Sequence, residues 1–299
     1  MTIVLPKKLS QKHDIQIIVL FLCMSILRTP VNQLKPGQIA LIGLSFDQNS
    51  SSLQGPAKAP ELIIQALESD SANYFTEDLT DLNEHPKVHW CGNAELSQYT
   101  DIEQRIDEVL AQDALPFSLG SDHSVTFPVV KALAKKHPKL SILHFDAHAD
   151  LYDELDGNRY SHACPFARIM EGGFAQHLTQ VGIRTLNTHQ KAQAERFNVN
   201  MIQMKDWKAD MKFEIEGPVY LSFDMDVLDP AFAPGVSHHE PGGFSTREVL
   251  TMIQNLNLNI VGCDVVEYNP DRDLNGATAM VAAKVVKELL AKLVSGQDN

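Results

Sequence analysis

The chain has 299 residues, 44% of them hydrophobic, and a formal net charge of −13. That length suits one large α/β domain or two small ones, with a core that needs no disulfide staples. The acidic balance counts against nucleic acid and anionic membrane as partners and is compatible with a cationic substrate.

At the N-terminus, Lys7, Lys8 and Lys12 precede the apolar run "IQIIVLFLCMSIL" at 15–27. The run resembles the charged and apolar regions of a signal peptide, but no small-residue cleavage site follows. It is too short to span a bilayer. The simpler reading is that Met24 is the start and that residues 1–23 follow from a misplaced start codon. Residues 1–33 are therefore set apart as an extension and 34–299 are read as a single domain. The four cysteines, Cys23, Cys91, Cys164 and Cys263, form no CxxC pair. That usage predicts a reducing compartment, taken here as the cytoplasm. Cys91 and Cys263 sit in apolar runs and read as small buried hydrophobes.

From residue 38 strands and helices alternate. Apolar runs of strand length lie at 39–46, 87–92, 115–120, 140–146, 179–184, 219–226 and 259–267. Helical spacing marks 59–70, 101–112, 125–137 and 277–294. The last helix carries Val281, Val285, Leu289 and Leu293 on one stripe and Lys284, Glu288 and Lys292 on another. Apolar strands alternating with helices predict a three-layer α/β/α domain around a central parallel sheet. In such sheets ligands bind at the carboxyl ends of the strands.

Those strand ends carry the unusual groups. "LGSDHS" supplies Asp122 and His123, "HFDAHAD" supplies Asp146, His148 and Asp150, "SFDMDVLDP" supplies Asp224, Asp226 and Asp229, and "VVEYNP" supplies Glu267. An isolated Asp at a strand end is most often a cap or turn former, and Asp122 and Asp229 fit that role. The ensemble does not, because several carboxylates buried together require cations. Few Lys or Arg lie nearby in sequence, which leaves a metal. An extended chain would put residues 146 and 150 roughly 13 Å apart, too far for one ion. Either the chain curls after Asp146 or a second ion is present. Carboxylates with imidazoles suit a hard or borderline ion such as Mn²⁺. A pair of ions bridged by carboxylates is a hydrolytic device.

"GSDHS", "DAHAD" and "SFDMDVLDP" in this order resemble the ureohydrolase family of arginases, agmatinases and relatives, over about residues 38–295. "NRYSHACPFARIMEGG", "DPAFAPGVSHHEPGGFSTREVL" and "DVVEYNPDRD" are most similar to plant-type arginases. The resemblance implies an arginase-like fold and two Mn²⁺ per subunit. One ion would be held by His123, Asp146, Asp150 and Asp224, and the other by Asp146, His148, Asp224 and Asp226. It also implies catalytic roles for His162 as proton relay, Glu267 as the carboxylate gripping a guanidinium, and Asp150 as orienter of the attacking water. Asn158, Ser161, Asn187, His238 and Glu267 are the implied substrate contacts. The implied reaction is hydrolysis of L-arginine to L-ornithine and urea by a homo-oligomer, trimeric or hexameric. Agmatine or a guanidino acid is the alternative substrate, and a catalytically silent metal-binding homologue a further alternative. Two departures stand out. Ser121 replaces a common glycine, which predicts a strained turn, and "VSHHEP" brings His238 where the family more often has a threonine.

Overall fold

The computed structural model describes residues 25–296. The readings made on residues 1–24 lie outside the described residues. Among the described residues nine strands form one sheet: β1 (Leu27–Arg28), β2 (Ile39–Gly43), β3 (Val88–Asn93), β4 (Leu115–Leu119), β5 (Ser141–Phe145), β6 (His177–Ile183), β7 (Asn200–Gln203), β8 (Pro218–Asp224) and β9 (Asn259–Val266). Their spatial order is β1-β3-β2-β4-β9-β8-β5-β6-β7, and every pairing is parallel. The central strands are buried along their whole length on both faces, as continuous apolar runs require.

Seven helices cover the sheet: α1 (Ala59–Leu67), α2 (Asp101–Leu110), α3 (Thr126–Lys136), α4 (Pro165–Glu171), α5 (Thr188–Arg196), α6 (Thr246–Gln254) and α7 (Ala277–Gly296). Ile63 and Ile64 of α1, Val249 and Ile253 of α6, and Val285 and Leu289 of α7 fill one core. Ile102 and Ile106 of α2, Val129 and Leu133 of α3, and Phe166 of α4 fill the other. The three layers expected from the alternation are therefore present. The charged stripe of α7 is not all solvated. Glu288 is buried and accepts from Lys284, from Gln254 Nε2 at 3.1 Å and from Glu77 N at 3.1 Å.

Residues 26–28, within the segment set apart as an extension, pack against the sheet. Ile26 is fully buried, and Leu27 and Arg28 pair with His89 and Trp90 on β3. Arg28 also forms an ion pair with Glu68 just past α1. No helix among the described residues is long and apolar enough to cross a membrane.

Candidate metal centre and active site

Four neighbouring strands, β4, β9, β8 and β5, end at one edge of the sheet and deliver the expected groups. β4 leaves through Gly120 and Ser121, both with positive φ (78° and 80°). A Cβ at Gly120 would lie 2.4 Å from the Pro60 ring, so the chain must pass this point without a side chain. Asp122 then caps the short turn 123–125 by accepting from Ser124 N. Asp229 accepts from Ala231 N, Gly242 N and Gly243 N. Both are the turn formers expected.

The chain does curl after Asp146. Asp150 has φ 49°, a left-handed turn that folds its carboxylate back. Its Oδ2 lies 3.2 Å from His123 Nδ1, beside Asp146 Oδ2 at 3.1 Å and Asp224 Oδ2 at 3.0 Å. His123 Nε2 is 2.9 Å from Ser222 Oγ, and that hydroxyl donates to Asp264 Oδ1 at 2.8 Å. Ser222 must therefore accept from His123, which places the ring proton on Nε2. The lone pair of Nδ1 then faces three carboxylate oxygens, and Nδ1 is buried without a hydrogen-bond partner. Four like-directed electron pairs converging on one point fit a cation.

A second group adjoins the first. His148 Nδ1 is 3.0 Å from Asp226 Oδ2 and 3.4 Å from Asp146 Oδ1. Asp146 thus presents one oxygen to each group. Asp224 reaches His123 through Oδ2, while its Oδ1 accepts from Asp226 N. None of these carboxylates has a Lys or Arg ion-pair partner among the described residues. The electrostatics match. Burial, together with the Asp146 and Asp226 charges, pushes Asp224 well above the usual carboxylate range. Burial and Asp146 raise Asp226 to about 6 despite His148. Asp146 is held low, with His144, His123 and His148 overcoming its burial. Divalent cations relieve all three conflicts, and the oxygen and imidazole donors suit a hard or borderline ion.

His144 belongs to this centre although it was not singled out as a site residue. Gln180 Nε2 donates to Ala149 O and to His144 Nδ1, so His144 carries its proton on Nε2 and donates it to Asp146 Oδ2 at 2.8 Å. Burial lowers the pKa of this imidazole. Such outer partners fix the orientation of a ligand. The sequence signal was its place in the alternation 144, 146, 148, 150.

A cavity of about 280 Å³ opens over these groups. His148, Asp150, Asp224, Asp226, His162, His238 and Glu267 line it. A larger hollow of about 830 Å³ lies between residues 207–216 and α6 and is lined by no imidazole, so chemistry rather than size selects the site. Glu267, with φ 63°, accepts from His123 N and from His162 Nδ1 through Oε1, both at 2.9 Å. Its Oε2 has no partner among the described residues. His162 Nε2 is 2.9 Å from Ser51 Oγ. Burial lowers the His162 pKa, but the Glu267 charge beside it prevails and lifts it to about 9.

Three expected substrate contacts do not line the cavity. Asn158 is bound to Asn49, Ser161 is buried, and Asn187 is an exposed cap that accepts from Gln190 N and donates to Tyr152 Oη. Tyr152, Thr185, Gln190 and Glu240 stand at the cavity instead. They were missed because Tyr152, Thr185 and Glu240 lie in segments that read as ordinary polar connections and Gln190 lies on α5, which carries little apolar stripe.

The strain expected at Ser121 is present and is offset locally. Its Oγ accepts from Phe46 N at 3.0 Å and donates to Leu44 O. Ser121→Ala keeps the positive φ and removes both hydrogen bonds of the buried hydroxyl, about 0.5–1.5 kcal/mol each, while Phe46 N keeps its bond to Leu44 O. Ser121→Gly loses the same bonds but releases about 1–2 kcal/mol of left-handed strain. Thermal unfolding is therefore expected to give Ser121→Ala the lower Tm of the two. The reverse order would show that the turn is not strained.

A carboxylate–imidazole centre at the carboxyl edge of a doubly covered parallel sheet, beside a buried Glu–His pair, defines a metal-dependent hydrolase. The chain belongs to the arginase family, whose profile matches residues 37–291, and it is an amidinohydrolase. It is 45% identical to arginase 1, mitochondrial, of Arabidopsis thaliana over 276 residues, covering 85% of this chain and 80% of that one. It is 32% identical to the mitochondrial guanidino acid hydrolase of Homo sapiens, covering 90% and 82%. Its fold matches the solved arginase from Medicago truncatula with a TM-score of 0.80 at 42% identity, covering 86% and 87%. These comparisons correct the cytoplasmic location expected above, since the Arabidopsis, rice and Medicago arginases matched are named mitochondrial. Cysteine usage and charge report redox chemistry and solubility, whereas an address is read by a receptor.

Proposed function

We propose that the protein hydrolyses L-arginine to L-ornithine and urea with two Mn²⁺ ions. His123, Asp146, Asp150 and Asp224 would hold one ion, and Asp146, His148, Asp224 and Asp226 the other. The observation that carries this reading is the His123 Nδ1 lone pair aimed at three carboxylate oxygens, in the same cavity as the Glu267–His162 pair. When bound, the ions supply Lewis acidity and lower the pKa of water. Glu267 offers its free Oε2 to the guanidinium N–H groups, where a charge-assisted hydrogen bond is strongest. His162, held between Glu267 and Ser51, keeps the proton that the departing amine takes up. His238 closes the cavity with its ring 5.3 Å from that of His162. Homo-oligomeric assembly, trimeric or hexameric, is part of the same reading and is tested by light-scattering mass.

The preference for arginine rests on the rim. Because Asn187 donates to Tyr152 Oη, the Tyr152 hydroxyl hydrogen is free to be given to an acceptor. Gln190 Oε1 accepts from Leu151 N, which leaves its amide nitrogen as a second donor. Thr185 Oγ1 donates to Ala147 O and keeps its lone pairs, and Glu240 adds a carboxylate. Donors and acceptors together suit a zwitterionic amino-acid head, and agmatine lacks the carboxylate. The kcat/KM for L-arginine is expected to exceed that for agmatine and for 4-guanidinobutyrate. Tyr152→Phe removes one donor to a charged group, about 1.5–3 kcal/mol, or roughly 10–100-fold in kcat/KM for arginine. Agmatine turnover should be insensitive to that change. A better rate with agmatine or a guanidino acid would replace the arginine reading while keeping the chemistry.

A further inference from the structure

Arg184 follows β6, and its guanidinium reaches the backbone of the turn that carries Asp226. Its partners are unusual. Nε donates to Glu240 O at 3.0 Å, Nη1 to Gly182 O at 3.3 Å and Val227 O at 3.2 Å, and Nη2 to Asp226 O at 2.7 Å, Leu228 O at 3.3 Å and Glu240 O at 2.7 Å. Every acceptor is a backbone carbonyl, and among the described residues no carboxylate oxygen lies within ion-pair distance. The main chain of the same residue donates to Ala147 O at 2.9 Å, between the ligands Asp146 and His148. Ala147 N in turn donates to Asp226 Oδ1.

We propose that Arg184 is a positioning residue that ties the turn 226–228, which carries the ligand Asp226, to the rim segment 238–243, which carries His238 and Glu240. Three chain segments converge on one planar fork. A guanidinium can hold three segments at once because its five N–H groups have fixed directions, and lysine offers a single tetrahedral nitrogen in its place. The surroundings leave no slack. A Cβ at Gly243 would lie 2.7 Å from Arg184 Nη2 and 2.7 Å from Val227 O. Phe244 N donates to Val227 O and Asp229 N to Phe244 O, so the rim segment is laced to the ligand turn immediately beyond the fork. Filling the ion site that contains Asp226 should therefore order the rim, and loosening the rim should weaken that ion site.

The test compares wild type with Arg184→Lys by Mn²⁺ titration and by hydrogen exchange, with and without Mn²⁺. Groups that orient ligands from outside the first layer typically change metal affinity by about 10–100-fold, so a rise of that size in the Mn²⁺ Kd is expected. In wild type, Mn²⁺ should slow exchange at the Gly242, Gly243 and Phe244 amides. In Arg184→Lys that slowing should be lost while the amides of β2 and β9 stay protected. An unchanged Kd with unchanged rim exchange overturns the proposal, and so does a uniform rise in exchange across the sheet, which would mean a general role in stability. If Arg184→Lys does not fold, Gly243→Ala presses on the fork from the opposite side and should reproduce the rim-specific change; wild-type behaviour there overturns the proposal. Wild-type protein that bound no Mn²⁺ would instead remove the metal reading, and rim exchange in the metal-free variants would still decide the role of Arg184.

Discussion

Asp226→Ala is expected to reduce urea release by about 10³-fold or more, the scale of losing several kcal/mol of metal assistance. Asp226 Oδ2 faces His148 and its Oδ1 holds Ala147 N, so the change removes a donor and loosens the 146–148 turn together. Bound Mn²⁺ per subunit should fall in parallel. The same variant has an opposite signature in chelator-treated protein. The carboxyl of Asp226 is raised to about 6 in the fold by burial and by Asp146, whereas the unfolded value is about 3.9. The folded state then binds the proton more tightly, and stability falls as pH rises through the window from about 4 to 6. Metal-free wild type should lose Tm across that window, and Asp226→Ala should lose less. Added Mn²⁺ should raise the wild-type Tm by linkage. Full activity in chelator-treated protein, or a Tm that climbs with pH there, would remove the metal centre from the account.

His162→Asn is expected to lower kcat by about 10²–10⁴-fold, the usual contribution of a positioned acid–base group. Mn²⁺ content should change little, because His162 contacts Glu267 and Ser51 rather than the ligand carboxylates. Glu267→Gln should reduce kcat/KM through the guanidinium contact and also alter His162. With the Glu267 charge gone, the largest remaining influence on His162 is burial, which lowers its pKa. In metal-free protein the imidazole should therefore titrate near 9 in wild type and at or below about 6.5 in Glu267→Gln. Proton NMR of the ring measures this directly. An unchanged kcat in His162→Asn would exclude it as the relay.

The parts legible in the sequence were those with a strong local pattern. Continuous apolar runs marked β2, β4, β5, β8 and β9 because both faces of these strands are covered. The candidate ligands were legible because several acids at strand ends have no cheap alternative explanation. Other elements lacked such a pattern. "THQKAQAER" forms α5 with little apolar stripe, buries Gln190, Gln193 and Ala194, and is fixed mainly by its Asn187 cap. "NMIQ" forms β7 at a half-exposed edge. Asp264 looked like one polar residue inside a strand, yet it gathers Thr126, Tyr220 and Ser222 and thereby sets the tautomer of His123. The rim was misread for a related reason. Asn158 and Asn187 carry donors, but which donors face a cavity depends on the return path of a loop, and spacing does not encode that path.

The position of β9 bears on how the protein is made. Near the end of the chain, it inserts between β4 and β8, and only through it do the two halves of the sheet meet. His123 belongs to one half, and the carboxylates that face it belong to the other. The chain must therefore be made through β9, to Val266, before the candidate ion site is complete. Until then the nascent chain carries two half-sheets with open flanks and an incomplete set of candidate ligands. Parallel pairing between distant segments is slow, and half-built sheets are prone to self-association. Metal supply should thus act late in maturation, by capturing chains whose last strand has just locked the halves together.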